Sequence, residues 1–138
     1  MNTEQFKSAL LEVIKEAGAI VQKGFNNEFS ISHKDGINNL VTEVDKAVEQ
    51  YIIQYLKTSF PEHGYIGEEF GNHNEDADYK WVIDPIDGTV NFAHHVPLCC
   101  VSIALVYKNQ PILGAVFNPM MNELFFAEKG KGAFLNDK

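Results

Sequence analysis

Asp84-Pro85-Ile86-Asp87-Gly88-Thr89 brings two carboxylates, a glycine and a hydroxyl together directly after the apolar run Trp81-Val82-Ile83. Acids crowded at the end of a buried strand repel each other unless a cation lies between them, and hard divalent ions take carboxylate and carbonyl oxygens. Gly88 lets a ligand come close to the main chain, Thr89 adds a hydroxyl, the amides of both can face an anion, and Pro85 stiffens the segment. The combination reads as metal plus phosphate. An Asx-type turn with Asp87 capping a short helix uses the same residue types, so the hexapeptide alone admits both readings.

Two further acidic sites tip the balance. Tyr65-Ile66-Gly67-Glu68-Glu69 is a second short apolar run that ends in paired carboxylates, and Thr42-Glu43-Val44-Asp45 puts acids at the start of a helix. Asp45 also suits a capping box opened by Thr42, where an acid favours the helix dipole, and position alone does not separate that role from a site role. Three acidic element ends in one small chain predict a convergent oxygen-ligand site.

The elements that must position these groups follow from periodicity. Phe6, Leu10, Val13, Ala17 and Ile20 recur at three and four, with Thr3 as a cap and Gly24 as a stop, which predicts a first helix. Residues 29–31 suit a short strand before the polar turn His33-Lys34-Asp35-Gly36. Val44, Val48, Tyr51, Ile52 and Tyr55 mark a second helix, capped by Thr42 and ending before Pro61. Residues 71–78 read as a polar, acidic loop, and the strand carrying Trp81 should stop where the acids arrive. Beyond the motif, residues 101–107, 112–117, 123–127 and 133–135 read as strands of an antiparallel meander. The expected class is α+β, two helices packed on a mostly antiparallel sheet.

A chain of 138 residues, 45% hydrophobic and without repeats, suffices for one domain with a real core. Its formal charge of −8 argues against nucleic-acid backbone or anionic membrane as a partner. No apolar run is long enough to span a bilayer, and the start around Glu4, Phe6 and Lys7 lacks a signal peptide's pattern. Cys99 and Cys100 are adjacent, a poor pair for an unstrained disulfide, and read as reduced core thiols of a cytoplasmic protein. His94 and His95 point to opposite sides with no third soft ligand, so they read as local structural residues rather than zinc ligands. Phe125-Phe126 and the Tyr51–Tyr55 stripe read as core, and Met120-Met121 as a turn-edge pair.

Taken in order, Gly67-Glu68-Glu69, Trp81-Val82-Ile83-Asp84-Pro85-Ile86-Asp87-Gly88-Thr89 and Asn91-Phe92 resemble the inositol monophosphatase family of magnesium-dependent, lithium-sensitive phosphatases. Lys34, Val41 to Asp45, Pro97 with 101–105, Gly114-Ala115-Val116 with Asn118-Pro119, and 130–134 fall in the family's order too, so the likeness covers nearly the whole chain. It implies the N-terminal half of an α/β/α/β/α layered sugar-phosphatase fold. It also implies two or three magnesium ions per complete site, with manganese as a substitute. Glu68, Asp84 and the Ile86 carbonyl would hold the first ion, and Asp84 with Asp87 the second. Thr89 and Glu68 would orient the attacking, metal-activated water, with Asp45 fixing the Thr89 hydroxyl. Asp87 and the Gly88 and Thr89 amides would bind the substrate's phosphate. Glu69 would stand behind the ligands, and Lys34 on a loop near the outer ion.

The reaction implied is hydrolysis of a small phosphate monoester, inositol monophosphate foremost. Relatives with the same motif act on sugar bisphosphates, nucleotide bisphosphates or the 2′-phosphate of NADP. Aspartyl-phosphate hydrolases keep one residue between their aspartates, whereas Pro85 and Ile86 make two here. Val90 and Phe70 depart from the family's usual residues without removing a ligand. The larger departure is length. Family members continue into a second α/β half with a Trp-Asp motif that completes the second ion's shell and recognises the alcohol. The expected partners are therefore that missing C-terminal half, a small phosphorylated substrate and, when complete, a second copy in a homodimer. Residues 1–138 alone are expected to be nearly inactive. The contrasting, non-enzymatic reading is a catalytically idle metal-binding or assembly domain.

Overall fold

The computed structural model describes residues 3–26, 31–33 and 40–138, and of 31–33 and 40–42 the backbone alone. Phe29, Lys34 and the turn expected beyond His33 lie outside the described residues. Helix α1 (Thr3–Phe25) buries Leu10, Val13, Ile14, Ala17 and Val21 along one stripe. Thr3 is the helix's first residue, and the helix passes through Gly24 instead of stopping there. A Cβ at Gly24 would lie 2.7 Å from Cγ2 of Val44, so the missing side chain lets the second helix begin against the first. That helix, α2 (Glu43–Ser59), ends before Pro61 as expected. It follows directly on β2 (Leu40–Thr42), which pairs antiparallel with β1 (Ile31–His33).

The remaining strands are β3 (Gly64–Ile66), β4 (Asn72–His73), β5 (Tyr79–Asp87), β6 (Cys100–Tyr107), β7 (Gln110–Asn118), β8 (Glu123–Glu128) and β9 (Gly132–Leu135). They form a seven-stranded sheet in the order β4-β3-β5-β6-β7-β8-β9. Neighbours are antiparallel except β3 and β5, which run parallel. Lys108 and Asn109, at φ 48° and 67°, make the tight turn joining β6 to β7. Both long helices cover one face of the sheet, α1 over β6 and β7 and α2 over β5. Between the layers lie Leu10, Ile14, Ile52, Leu56, Trp81, Ile103 and Leu105, all fully buried.

The α+β class is thus as expected, with three differences. The 71–78 segment contains β4. A short third helix, α3 (Thr89–Ala93), follows the acidic motif. The strand bearing Trp81 does not stop at the acids but runs through them to Asp87. On the sheet's other face Val82, Val116 and Phe125 are 39%, 36% and 45% exposed, so of the two adjacent phenylalanines only Phe126 joins the core. Alternation along β8 requires this, because neighbours in a strand point to opposite faces. No helix among the described residues is long and apolar enough to cross a membrane.

Candidate active site

A strand with strict alternation puts residues three apart on opposite faces, yet Asp84 and Asp87 share one. The register explains it. Asp84 pairs with Ser102 and Asp87 with Cys100, so three steps along β5 match two along β6, and the extra residue forms a bulge. Pro85 and Ile86 both turn inward at the bulge, extending the buried set of Trp81 and Ile83, while Asp84 and Asp87 follow Val82 outward. Pro85 belongs there because it has no amide to give to a ladder. The two-residue spacer therefore does what a single residue does in a regular strand.

Glu68 reaches the same place by another route. The parallel pairing of β3 with β5 ends at Ile66 and Val82, two residues before Glu68, whose negative charge acts on Asp84. The amides of Glu68, Glu69 and Phe70 donate at 2.7–3.1 Å to the carboxylate of Glu49, a fully buried residue of α2. Four residues earlier on the same helix face, Asp45 is 2% exposed, and its Oδ2 lies 3.1 Å from Thr89 Oγ1. The Thr89 hydroxyl is also 3.0 Å from the Ile86 carbonyl oxygen, and with one proton it can donate to only one of the two.

Gly88 joins β5 to α3 at φ 97° and ψ 38°, a left-handed conformation that favours glycine. A Cβ there would meet the Leu98 carbonyl oxygen at 2.9 Å. Glycine is thus required by the neighbouring backbone, a reason distinct from ligand access. Beside Asp87 and Gly88 a groove of about 410 Å³ opens toward Asn91, Cys100, Asn118 and Phe125.

Burial pushes the Asp84 carboxyl from its ordinary 3.8 up to about 7, and the negative charges of Glu68, Asp87, Asp45 and Glu49 add to the effect. Its Oδ1 is buried with no hydrogen-bond partner. A buried carboxylate oxygen without a donor, in a field of like charges, is what a hard cation satisfies, and the donor set offers only hard oxygen ligands. The residues present therefore fit magnesium or manganese. Among the described residues no three histidine, cysteine or acidic side chains stand close enough to hold an ion as they are. Asp84 shares an electrostatic field with four acids without being drawn into a closed cage.

The structure brings together Asp45, Thr89, Ile86, Asp84 and Asp87, with Glu68 on the adjoining strand end, and places the Glu69 amide on Glu49. Lys34 lies outside the described residues. His95, at φ 59°, packs its ring 5.6 Å from that of Phe25, in keeping with a local structural part. Cys99 is buried and Cys100 partly exposed, and burial pushes both thiols up to about 11. Glu49 was missed in the sequence, although an acid among Val48, Ile52 and Leu56 on the buried arc of α2 was a readable signal.

A model of the inositol monophosphatase family matches residues 2–138. Inositol monophosphatase 3 of Solanum lycopersicum is 45% identical over 99% of this chain and 52% of its own length. The extragenic suppressor protein suhB of Bartonella henselae superposes with a TM-score of 0.92 at 32% identity, over 96% of this chain and 52% of its own. An IMPase/NADP phosphatase complexed with Mg2+ and phosphate gives a TM-score of 0.90 at 30% identity, over 100% of this chain and 53% of its own. The chain spans about half the length of the curated relatives it matches. A likeness that runs from one end of these residues to the other, in sequence and in backbone alike, makes this chain a member of the inositol monophosphatase family.

Proposed function

We propose that these residues form the metal- and phosphate-binding end of a phosphatase site that hydrolyses a small phosphate monoester, inositol monophosphate first, in the cytoplasm. The observation that carries the reading is Asp84, whose unpartnered buried oxygen and raised pKa sit on a bulge that gives it the same face as Asp87. In this reading Glu68, Asp84 and the Ile86 carbonyl would hold one magnesium, and Asp84 with Asp87 a second. Magnesium bound there supplies positive charge against the phosphoryl oxygens and the leaving alkoxide, and acidifies water. The Thr89 hydroxyl donates to Asp45 and leaves its lone pairs to orient the attacking water, with Glu68 as a second acceptor. Asp45 holds that hydroxyl in one orientation. Asp87 and the Gly88 and Thr89 amides position the phosphate, and the groove beside them receives the alcohol.

A further half, of the length by which the relatives exceed this chain, supplies the remaining ligand of the second ion and most contacts to the alcohol. Residues 1–138 alone then turn over slowly, and mixing them with that half restores magnesium-dependent hydrolysis. Similarity to an IMPase/NADP phosphatase favours NADP as the second substrate to assay beside inositol 1-phosphate. Calorimetric titration with Mn2+ tests the reading, because Asp84→Asn removes the carboxylate that would serve both ions. An unchanged number of ions bound at unchanged affinity in that variant would sink it.

A further inference from the structure

We infer that Glu49 is a positioning residue that holds the Glu68 carboxylate at the metal, an inference that rests on the metal role proposed for Glu68. Four amide-to-carboxylate contacts converge on it. The Glu68 amide lies 2.9 Å from Oε1, the Glu69 amide 3.1 Å from Oε1 and 2.9 Å from Oε2, and the Phe70 amide 2.7 Å from Oε2. Three successive amides curled around one anion form a backbone nest, here filled by a side chain from another element. The anion is fully buried, so these hydrogen bonds to a charged group are the strong kind, and losing one strands a polar group away from water.

The neighbouring glycine fits the same picture. A Cβ at Gly67 would stand 2.5 Å from Glu49 Oε2 and 2.8 Å from Cδ, so the chain lies directly on the carboxylate. The Glu68 side chain is exposed, and the main chain that carries it is held by Glu49 through three successive amides. The same face of α2 carries Asp45, which meets Thr89 at the end of the bulged strand. One helix face therefore fastens both ligand-bearing segments, and α2 holds Glu68 relative to the Asp84–Asp87 pair where the three-residue pairing of β3 with β5 has already ended.

The test is Mn2+ affinity measured by electron paramagnetic resonance on the 138-residue chain. Residues that orient metal ligands typically cost 10–100-fold in affinity when replaced, and Glu49→Gln, which turns one acceptor into a donor facing an amide, is expected to fall in that range. Glu49→Asp separates position from charge. It keeps the negative charge but withdraws the carboxylate by one methylene, and it is expected to lose affinity as well. Wild-type affinity in Glu49→Asp with loss in Glu49→Gln would show that charge alone acts and would overturn the positioning role. Gly67→Ala keeps Glu49 intact and pushes the loop off it, and is expected to weaken Mn2+ binding in the same direction. If Glu49→Gln does not fold, Gly67→Ala decides, and wild-type affinity there overturns the inference.

A wild-type chain that binds no Mn2+ defeats the metal reading separately. Hydrogen exchange at the Glu68, Glu69 and Phe70 amides then decides the local part. Selective acceleration at those three amides in Glu49→Gln is expected, and exchange unchanged from wild type overturns it.

Discussion

Replacing Asp84 with asparagine should make the metal-free protein more stable while abolishing the proposed cation site. The Asp84 carboxyl moves from 3.8 to about 7, first through burial and then through the charges of Glu68, Asp87, Asp45 and Glu49. At about 1.36 kcal/mol per unit the shift has a ceiling of ~4 kcal/mol, and solvent screening of this half-buried group reduces it to the order of 1–2 kcal/mol. The sign follows from linkage. A carboxyl whose folded pKa is raised destabilises the native state in full above about 7, less as pH falls, and not at all below its unfolded value. Asp84→Asn should therefore gain roughly 1–2 kcal/mol over wild type at pH 8 in chelator, and much less near pH 5, where wild type is largely protonated already. Urea denaturation of both proteins at the two pH values measures this difference directly. Added magnesium should reverse the order at pH 8, because a ligand at 100-fold its Kd stabilises wild type by about 2.7 kcal/mol and leaves the variant unmoved. A variant less stable than wild type at pH 8 without metal would refute the claim that Asp84 is held against its charge.

Three other outcomes are accessible. Thr89→Ala should depress turnover of the complete enzyme by about 10²-fold or more while moving Mn2+ affinity little, since in the proposed site the hydroxyl orients water and is not a principal ligand; comparing kcat with the metal titration checks it. Gly18→Ala should lower stability by roughly 1–3 kcal/mol through overpacking, because its Cβ would fall 2.3 Å from Cε2 of Phe117 where α1 crosses β7; a thermal melt reports it. His63 is kept neutral by burial and accepts the Trp81 indole proton at 3.0 Å, so its pKa is lowered and the stability it lends is present above 6.5 and lost as pH falls below it. Imidazole titration by nuclear magnetic resonance should place His63 below the free-histidine value.

What the sequence made legible is what periodicity and side-chain chemistry carry. Both long helices announce themselves through apolar stripes, and Asp84, Asp87 and Thr89 through their chemistry. The bulge was not legible, because Pro85-Ile86 reads equally as a spacer or as a strand end, and only the pairing with Ser102 and Cys100 reveals that the strand continues. The parallel partner was not legible either, since the three residues of β3 are too few to show a period. Glu49 is signalled in the sequence only by its place on the buried arc of α2, and its role is not. An acid in an amphipathic helix is ordinarily assigned to the wet side, and the three amides that justify its burial belong to a distant segment whose conformation no local pattern encodes.

The fastening of the site to α2 also bears on when the protein acquires it. Glu49 reaches amides 19–21 residues away, and Asp45 a hydroxyl 44 residues away, so neither contact closes before α2 lies on the sheet. Contacts of this range form only once the entropy of closing the chain between their ends has been met. A cation that recognises only the finished arrangement has no site in the unfolded chain. If the proposed cation site is completed only after the barrier, magnesium should leave the folding rate where it was and slow unfolding instead, a latch on the chain's lifetime read in stopped-flow as an unfolding limb that falls with cation while the refolding limb stays put.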